Sequence, residues 1–240
     1  MIQNSDVLIV VPAYNEAATI AQVVTGIHSE GFSCVVVDDG SEDSTSLVAK
    51  NVGATVLTLP FNAGVGGALR CGFRYAVENG FIAVIQCDAD GQHQSHHFHD
   101  LIRTANETNA DLVLGSRFLS SENTMDPHIV RRFAMWWLAR VASRATGRKI
   151  TDSTSGFRFI RRPLLDELAE HLPEYYLGDT FEALVVLGRA GYSVEEIGTA
   201  MAPRQSGVSS ASSGRAIVLI GKALTTVLLG LHFRIKQKPQ

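Results

Sequence analysis

Two carboxylates one residue apart, Asp88 and Asp90, follow directly after an apolar run that ends at Gln86. Side chains at positions i and i+2 of an extended strand point to the same side. Carboxylate oxygens suit Mg²⁺ or Mn²⁺, and these ions share their coordination shell with the phosphates of a substrate. A cation held there would stabilise the negative charge that builds on a diphosphate leaving group. The pair is therefore the first candidate for a catalytic, metal-binding site.

The residues just after this pair extend the candidate site. Gln92 can supply a third oxygen ligand, and His93, His96, His97 and His99 follow it. Four imidazoles in seven residues also suit zinc. We favour the alternative, a polar helix start with solvated histidines, and expect His93 to lie nearest to the metal or the phosphates.

Acidic and glycine-rich segments follow two earlier apolar runs. Asp38 and Asp39 come after the run Cys34–Val37. A carboxylate there can accept hydrogen bonds from a base or a ribose, or it can cap the next helix, and one acid can do each. The segment Asn62–Gly67 contains glycines that would let the backbone approach a phosphate in front of a helix start. It is neither a complete GxGxxG, because Leu69 replaces the last glycine, nor a P-loop.

The first 115 residues alternate between short apolar runs and stretches with helical spacing. We predict strands at Val7–Val11, Cys34–Val37, Ala54–Leu59, Phe81–Gln86 and Asp111–Leu114, with helices at Ala17–Ile27, Thr45–Asn51, Ala68–Glu78 and Phe98–Thr108. This order predicts an α/β fold with a mostly parallel central sheet and helices on both of its faces. Such sheets bind ligands beyond the carboxyl ends of their strands, where all the candidate residues fall.

The second half is less regular. We predict helices at Ile129–Thr146, Pro163–His171, Thr180–Arg189 and Arg215–Phe233, strands at Thr154–Ile160 and Tyr192–Ile197, and a Ser/Gly-rich loop at Gln205–Gly214. We expect residues 1–214 to form a single domain, with a donor-binding half at 1–118 and an acceptor-side half at 119–214. Residues 215–240 would form a C-terminal amphipathic or apolar helix.

Composition limits the function classes. The 240 residues are 45% hydrophobic and 19% charged, with a net charge of -3. The chain is therefore an ordinary folded one without a general affinity for nucleic acid. Its three cysteines, Cys34, Cys71 and Cys87, are widely spaced, and we expect them to be free thiols. We expect neither a signal peptide nor a membrane-spanning segment.

The segment from Pro127 to Thr151 carries six positive charges, no acid, and the neighbouring residues Trp136 and Trp137. Basic residues beside tryptophans suit an anionic membrane surface, but a core helix with a solvated basic face would have the same composition. The final predicted helix is open to the same two interpretations.

In order, the candidate segments match a known family. Val-Pro-Ala-Tyr-Asn-Glu (11–16), Asp-Asp-Gly-Ser (38–41), Asn-x-Gly-x-Gly-Gly-Ala (62–68), Asp-Ala-Asp-Gly-Gln-His (88–93) and Gly-Ser-Arg (115–117) resemble family 2 glycosyltransferases of the GT-A fold. Thr-Ser-Gly-Phe-Arg (154–158), and Arg204 with Ser206-Gly207-x-Ser209, resemble the polyprenyl-phosphate (dolichol-phosphate) mannose synthase branch. The resemblance covers nearly the whole chain.

The resemblance implies inverting transfer of a mannose- or glucose-type sugar from a nucleotide-diphosphate sugar to a polyprenyl phosphate. It implies a cytoplasmic enzyme, peripheral on the inner face of a membrane, that uses Mg²⁺ or Mn²⁺. Its implied site residues fall into four groups. The donor would be bound by Pro12, Tyr14, Glu16, Asp39, Asp88, Ala89, Asp90 and Arg204; the metal by Asp88, Asp90 and Gln92; the acceptor phosphate by Arg117, Arg131 and Arg132; and the catalytic residues would be Asp88, Asp90 and Arg117.

Alternatives differ in the acceptor or in the class of protein. An ionised phosphate acceptor needs no strong base, whereas a hydroxyl on a glycan, lipid or small molecule needs a carboxylate such as Asp179 or Glu182. The chain also departs from many relatives, which carry lysines where Val65 and Ser210 stand. A receiver domain would be shorter, with its acid pair after the first strand. An inactive binding module would not need the retained acids.

Overall fold

The computed structural model describes residues 1–119, 129–173, 179–202 and 235–239, with only the backbone at 129–135 and 179–180. The predicted loop Gln205–Gly214 and helix Arg215–Phe233 lie outside these residues. The strands are β1 Val7–Ala13, β2 Ser33–Asp38, β3 Thr55–Thr58, β4 Ala83–Gln86, β5 Leu112–Ser116, β6 Arg158–Arg161 and β7 Val194–Gly198. The helices are α1 Ile20–Ser29, α2 Thr45–Asn51, α3 Val65–Glu78, α4 His97–Thr108, α5 Ile129–Thr146, α6 Leu164–His171 and α7 Asp179–Arg189.

All seven strands join one sheet in the order β3-β2-β1-β4-β6-β5-β7. The pairs β1–β2, β2–β3, β1–β4 and β5–β7 are parallel, and β6 runs antiparallel between β4 and β5. The predicted α/β fold with a mostly parallel sheet is therefore confirmed. The sequence pattern did not predict that β6 would run antiparallel to its neighbours.

Successive residues of β1 bury their side chains on opposite faces of the sheet. Leu8 and Val10 belong to the core cluster that includes residues of α3, α6 and α7, while Val7, Ile9 and Val11 belong to the cluster that includes residues of α1 and α4. Both faces of β1 are therefore apolar and buried, as expected for a strand covered by helices on each side. Helices cover both faces, as predicted.

Two helix starts differ from the prediction by three residues, and both differences affect the candidate site. Helix α1 begins at Ile20 and not at Ala17; the Ala17 N–H donates to the Asp43 carboxylate (3.1 Å), and Asn15 has a positive φ of 56°. Helix α3 begins at Val65 and not at Ala68, so two of the loop glycines lie in its first turn.

The glycines of α3 serve packing as well as the turn. Gly64, at the N-cap, has a φ of 83° that an L side chain rarely adopts. A Cβ at Gly72 would lie 2.4 Å from Val10 Cγ1 and 3.2 Å from Val37 Cγ2. Helix α3 therefore lies directly on β1 and β2, which fixes the glycine-containing turn at the end of β3.

The structure also bears on the predictions about the cysteines and about membrane-spanning segments. Cys34 and Cys87 are buried, Cys71 is half-buried and all three are free thiols. Burial raises the pKa of Cys34 to about 12, which makes it unreactive. Among the helices of the described ranges, none is both long enough and apolar enough to cross a bilayer.

Candidate functional site

The carboxyl ends of the parallel strands bring the predicted loops to one edge of the sheet. Ala13 pairs with Asp38 at the ends of β1 and β2, and the Asp39 N–H donates to the Ala13 carbonyl (2.9 Å). The Cys87 N–H donates to the Val10 carbonyl (3.0 Å), so the acidic loop leaves β4 beside β1. This carboxyl edge is where an α/β sheet binds its ligand.

Strand β6 begins at the same edge because it runs in the opposite direction. Arg158, its first residue, pairs with Gln86 of β4 and with Leu114 of β5. The segment 151–157 that enters β6 therefore lies between the loops after β4 and β5. The predicted strand Thr154–Ile160 began four residues too early, because Thr154–Phe157 forms an irregular segment held by side-chain hydrogen bonds.

The acidic pair lies in the loop after β4 with its two carboxylates in different surroundings. Asp90 is 8% exposed, and its Oδ1 accepts the Gln92 N–H (3.1 Å). The Asp88 side chain keeps 43% of its surface accessible, and its Oδ2 lies 3.3 Å from His93 Nε2. A Cβ at Gly156 would lie 3.1 and 3.2 Å from the two Asp88 oxygens, so the backbone before β6 lies against this carboxylate.

Cations near Asp88 keep it ionised. Burial among protein atoms would by itself raise the pKa of Asp88, but the hydrogen bond and charge of His93 and the guanidinium groups of Arg117 and Arg158 lower it below its usual value. An accessible, ionised carboxylate at the carboxyl edge is what an oxygen-preferring cation requires.

The candidate ligands suit a cation that is coordinated mostly by substrate phosphates and water. In the described ranges, no group of three or more His, Cys, Asp or Glu side chains is arranged to hold a metal. Mg²⁺, however, is commonly bound by one or two carboxylates together with substrate phosphates and water. Asp88 and Asp90 match that requirement.

Gln92, the expected third ligand, also holds the acidic loop. Its Nε2 lies 3.5 Å from the Ala202 carbonyl, and the Ala202 N–H donates to the Gln92 carbonyl (2.9 Å). An isolated bridge between His93 and Met201 extends this pairing. The acidic loop is therefore joined to the segment after β7, which leads towards Arg204.

The histidines do not form a zinc cluster among the described residues. The His93 ring stacks on Phe157 (4.7 Å between centroids), and its side chain is only 4% exposed. His97 accepts the Ala200 N–H (3.1 Å). The expectation of solvated histidines was wrong for these two residues. His93 lies against Phe157, just before β6, and His97 lies against the segment after β7. His93 lies beside Asp88, one of the carboxylates expected to hold the metal.

The two acids after β2 both hold backbone turns. Asp38 accepts the Ser41 N–H (2.9 Å) and the Ser46 hydroxyl. Asp39 accepts the N–H groups of Ala63 (2.7 Å) and Gly64 (2.9 Å), directly before α3.

Neither acid caps the next helix through its first N–H, because the Thr45 N–H at the start of α2 donates to Asp43. Burial raises the pKa of Asp39, the two N–H bonds offset part of that effect, and the charge of Asp38 adds to the rise. The Asp39 carboxylate thus fixes the turn before α3 at the carboxyl edge.

The other expected donor residues lie around the ends of β1 and β4. Pro12 is half-buried in β1, and Tyr14 just beyond it is 44% exposed. The Glu16 carboxylate accepts the Thr19 hydroxyl (3.0 Å). Ala89 is buried between the two acids. These residues therefore lie at or just beyond the ends of the neighbouring strands β1 and β4.

Arg117 forms the main polar link across the carboxyl edge, and its partner Asp152 was missed from the sequence. Nε donates to Asp152 Oδ2 (2.7 Å), and Nη2 donates to Asp152 Oδ1 (2.9 Å) and to the Thr154 hydroxyl (2.7 Å). The Asp152 side chain is 0% exposed. The only sequence signal was an acid in the polar segment ahead of the matched motif at 154–158.

In the pair of Arg117 and Asp152, each partner favours the charged form of the other. Burial opposes the charge of each partner, but the Asp152 hydrogen bonds and charge, with Asp88, raise the pKa of Arg117. In the same way, the bonds and charge of Arg117, with the Thr154 hydroxyl, lower the pKa of Asp152 despite its burial.

Three expected site residues are described by their backbone alone. Arg131 and Arg132 lie in α5 and Asp179 begins α7, where only the backbone is described. Glu182 is half-buried in the first turn of α7. Outside the described residues lie Arg204, the motif residues Ser206, Gly207 and Ser209, and Ser210, where many relatives carry a lysine.

Comparison with known proteins identifies the family. Residues 8–169 match the family described as glycosyl transferase family 2. Polyprenol monophosphomannose synthase of Mycolicibacterium smegmatis is 29% identical over 219 residues, which cover 85% of this chain and 80% of the relative. Undecaprenyl-phosphate mannosyltransferase of Micrococcus luteus is 27% identical over 229 residues, which cover 92% of each chain. The expected branch of the family is therefore confirmed.

The fold agrees with a solved structure. Glucosyl-3-phosphoglycerate synthase of Mycobacterium tuberculosis, in complex with Mn²⁺, uridine diphosphate and phosphoglyceric acid, superimposes with a TM-score of 0.66. The match covers 93% of this chain and 77% of the other at 22% identity, so it bears on the fold alone. This chain belongs to glycosyl transferase family 2 and is a glycosyltransferase with the GT-A fold.

Proposed function

We propose that this glycosyltransferase moves a mannose- or glucose-type sugar from a nucleotide-diphosphate sugar to a polyprenyl phosphate, with inversion, at a membrane surface. One structural observation carries the proposal: the accessible, ionised Asp88 lies at the carboxyl edge beside Asp90, with Arg117 and Arg158 as neighbouring cations. The polyprenyl-phosphate acceptor is supported by the names of two relatives, a polyprenol monophosphomannose synthase and an undecaprenyl-phosphate mannosyltransferase.

The donor is proposed to lie along the ends of β1, β2 and β4. The nucleoside would contact the half-buried Pro12, the exposed ring of Tyr14, and the carboxylates of Glu16 and Asp39. The turn that Asp39 holds leads into α3, whose N-terminus favours the negative charge of phosphates. Arg204 would close over the donor from the segment after β7.

Asp88, Asp90 and Gln92, with the backbone at Ala89, are proposed to hold Mg²⁺ or Mn²⁺ together with the diphosphate. The bound ion would act as a Lewis acid that stabilises charge on the departing nucleoside diphosphate. His93 keeps Asp88 ionised and oriented through its contact at 3.3 Å.

The transfer itself would be a single displacement. An oxygen of the acceptor phosphate attacks the anomeric carbon, the bond from that carbon to the diphosphate oxygen breaks, and the nucleoside diphosphate leaves from the opposite face. A phosphate is already ionised near neutral pH, so it needs orientation and charge compensation more than a base. Arg117 is proposed to supply both, with Arg131 and Arg132.

The proposed membrane contact involves the second half of α5. Trp136 and Trp137 are 54% and 45% exposed, and the Arg140 guanidinium lies 5.6 Å from the Trp136 ring centroid. A groove of about 690 Å³ is lined there by aromatic and basic residues, among them Phe118, Trp136, Arg140, Arg144 and Lys149. Exposed tryptophans beside arginines suit an anionic membrane surface. We propose a peripheral position on the cytoplasmic face.

A matched pair of acceptors tests the proposal. The enzyme would be incubated with Mn²⁺ and a panel of GDP- and UDP-sugars, with either a short-chain polyprenyl phosphate or the corresponding polyprenol. We expect glycosylated product from the phosphate only, in the anomeric configuration opposite to that of the donor by NMR. Equal product from the polyprenol, or retained configuration, would contradict it.

Sugar acceptors with free hydroxyls test the alternative. If such an acceptor is the better substrate, a base is required. Glu182→Gln or Asp179→Asn should then abolish that reaction. With polyprenyl phosphate as the substrate, we expect both variants to retain activity within about twofold, because no base is needed.

A further inference from the structure

A carboxylate on the edge strand β7 holds the loop that contains Asp152. Glu196 Oε1 accepts the N–H groups of Asp152 (2.7 Å) and Thr151 (3.0 Å) and the Thr151 hydroxyl (3.1 Å). Its Oε2 also accepts the Thr151 N–H (2.8 Å). Both oxygens of Glu196 are therefore engaged by two successive residues, 44 and 45 positions away in the chain.

The same loop fixes the end of β5. The Thr151 and Ser116 hydroxyls lie 2.9 Å apart, and the buried Asp152 holds Arg117 by a two-pronged ion pair. The Arg117 N–H also donates to Asp152 Oδ2 (3.2 Å). A continuous chain of hydrogen bonds thus runs from Glu196 through the 151–152 backbone to the Arg117 guanidinium.

We infer that Glu196 is a positioning residue that sets the orientation of Arg117 for the acceptor phosphate. This inference rests on the proposed function. A planar guanidinium binds a phosphate with a defined geometry, so its orientation decides whether the acceptor oxygen faces the donor. Asp152 sets that orientation, and Asp152 itself is fixed through its own N–H by Glu196.

The substitution Glu196→Gln tests the inference with little change in shape. One carboxylate oxygen becomes an NH₂ group, which cannot accept the loop N–H groups and faces them as a second donor. We expect the KM for polyprenyl phosphate to rise about tenfold or more, with the donor KM unchanged. Glu196→Asp keeps both acceptor oxygens and should lie between wild type and Glu196→Gln. Glu195→Gln, next in sequence but paired with the exposed Arg148, is the matched control and should behave as wild type.

A double-substitution cycle with Arg117→Gln shows whether Glu196 acts through Arg117. Once Arg117 is replaced, we expect Glu196→Gln to change the acceptor KM by less than about twofold. An equal effect in both backgrounds, or no effect in the wild-type background, would overturn the inference while leaving the proposed function intact. If Arg117→Gln alone leaves the acceptor KM unchanged, the proposed role of Arg117 and the inference both fail.

A second measurement does not depend on activity. Hydrogen exchange at Arg117 Nε, followed by NMR, reports the bond to Asp152 directly. We expect faster exchange in Glu196→Gln than in wild type, and no change in Glu195→Gln. Equal exchange in all three proteins would overturn the inference, since Glu196 would then have no influence on Arg117.

Discussion

The acids on the two sides of the carboxyl edge are held in different ways. In the first half of the chain, Asp38, Asp39 and Asp90 accept hydrogen bonds from backbone N–H groups of nearby turns. In the second half, Asp152 is held mainly by the side chain of Arg117, 35 residues away. The proposed donor side thus rests on loop geometry, and the proposed acceptor side on a long-range ion pair.

This difference explains which parts of the site the sequence revealed. Asp38 and Asp90 hold the turns that directly follow them, and such turns appear as short contiguous motifs, here the segments 38–41 and 88–93. Asp39, which holds the turn at 63–64, was recognised because it belongs to the first of these segments. A carboxylate paired across 35 residues has no local signature, so Asp152 was missed. The two ways of holding an acid also lead us to expect different losses of stability when the acid is replaced.

The largest expected effect is on stability, from Asp152→Asn. This substitution removes one charge of a buried pair and leaves Arg117 uncompensated, so we expect the free energy of unfolding to fall by about 3 kcal/mol. Asp39→Asn keeps one oxygen for the backbone N–H groups and should cost about 1 kcal/mol. Urea unfolding of both variants measures the two losses in the free energy of unfolding. Equal losses would remove the distinction between backbone-held and cation-held acids.

The pH dependence of stability sharpens the same comparison. Because the folded-state pKa of Asp152 is lowered, its stabilising contribution is complete above its unfolded-state pKa of about 4 and is lost as pH falls towards the folded value. The free energy difference between wild type and Asp152→Asn should therefore shrink below about pH 4. A difference that stays constant from pH 6 to pH 3 would show that the Asp152 charge contributes nothing.

A smaller effect on stability is expected from Gly156→Ala. Gly156, in the segment before β6, lies against Asp88 in the loop after β4. The new Cβ would lie 3.1 and 3.2 Å from the Asp88 oxygens and 3.3 Å from Gln86 Nε2, so the carboxylate must move by a few tenths of an ångström. We expect a stability loss of about 1 kcal/mol or less, but an activity loss of about tenfold. Gly26→Ala, with its nearest neighbour at 3.5 Å, is the control and should retain activity. Wild-type activity in Gly156→Ala would show that the position of Asp88 is not critical.

The sequence predicted the parallel strands and their loops because buried strands between helices give continuous apolar runs. It could not predict that β6 would be antiparallel, since Arg158–Arg161 carries an arginine at each end of a two-residue apolar centre. It also placed the glycines of α3 in a loop. Gly66 and Gly67 instead lie in the first turn of α3, and only the contact of Gly72 with Val10 shows how closely that helix lies on the sheet.

The central claim is that Asp88 and Asp90 bind a divalent cation against the diphosphate of the donor. Thermal unfolding with GDP or UDP, with and without Mn²⁺, tests it most directly, because a ligand that binds only the folded state raises the melting temperature. We predict a rise with nucleotide only when Mn²⁺ is present, its loss in Asp90→Ala, and its retention in Asp166→Ala, which removes a distant acid paired with Arg162. A rise of equal size without metal, or one that persists in Asp90→Ala, would contradict the claim.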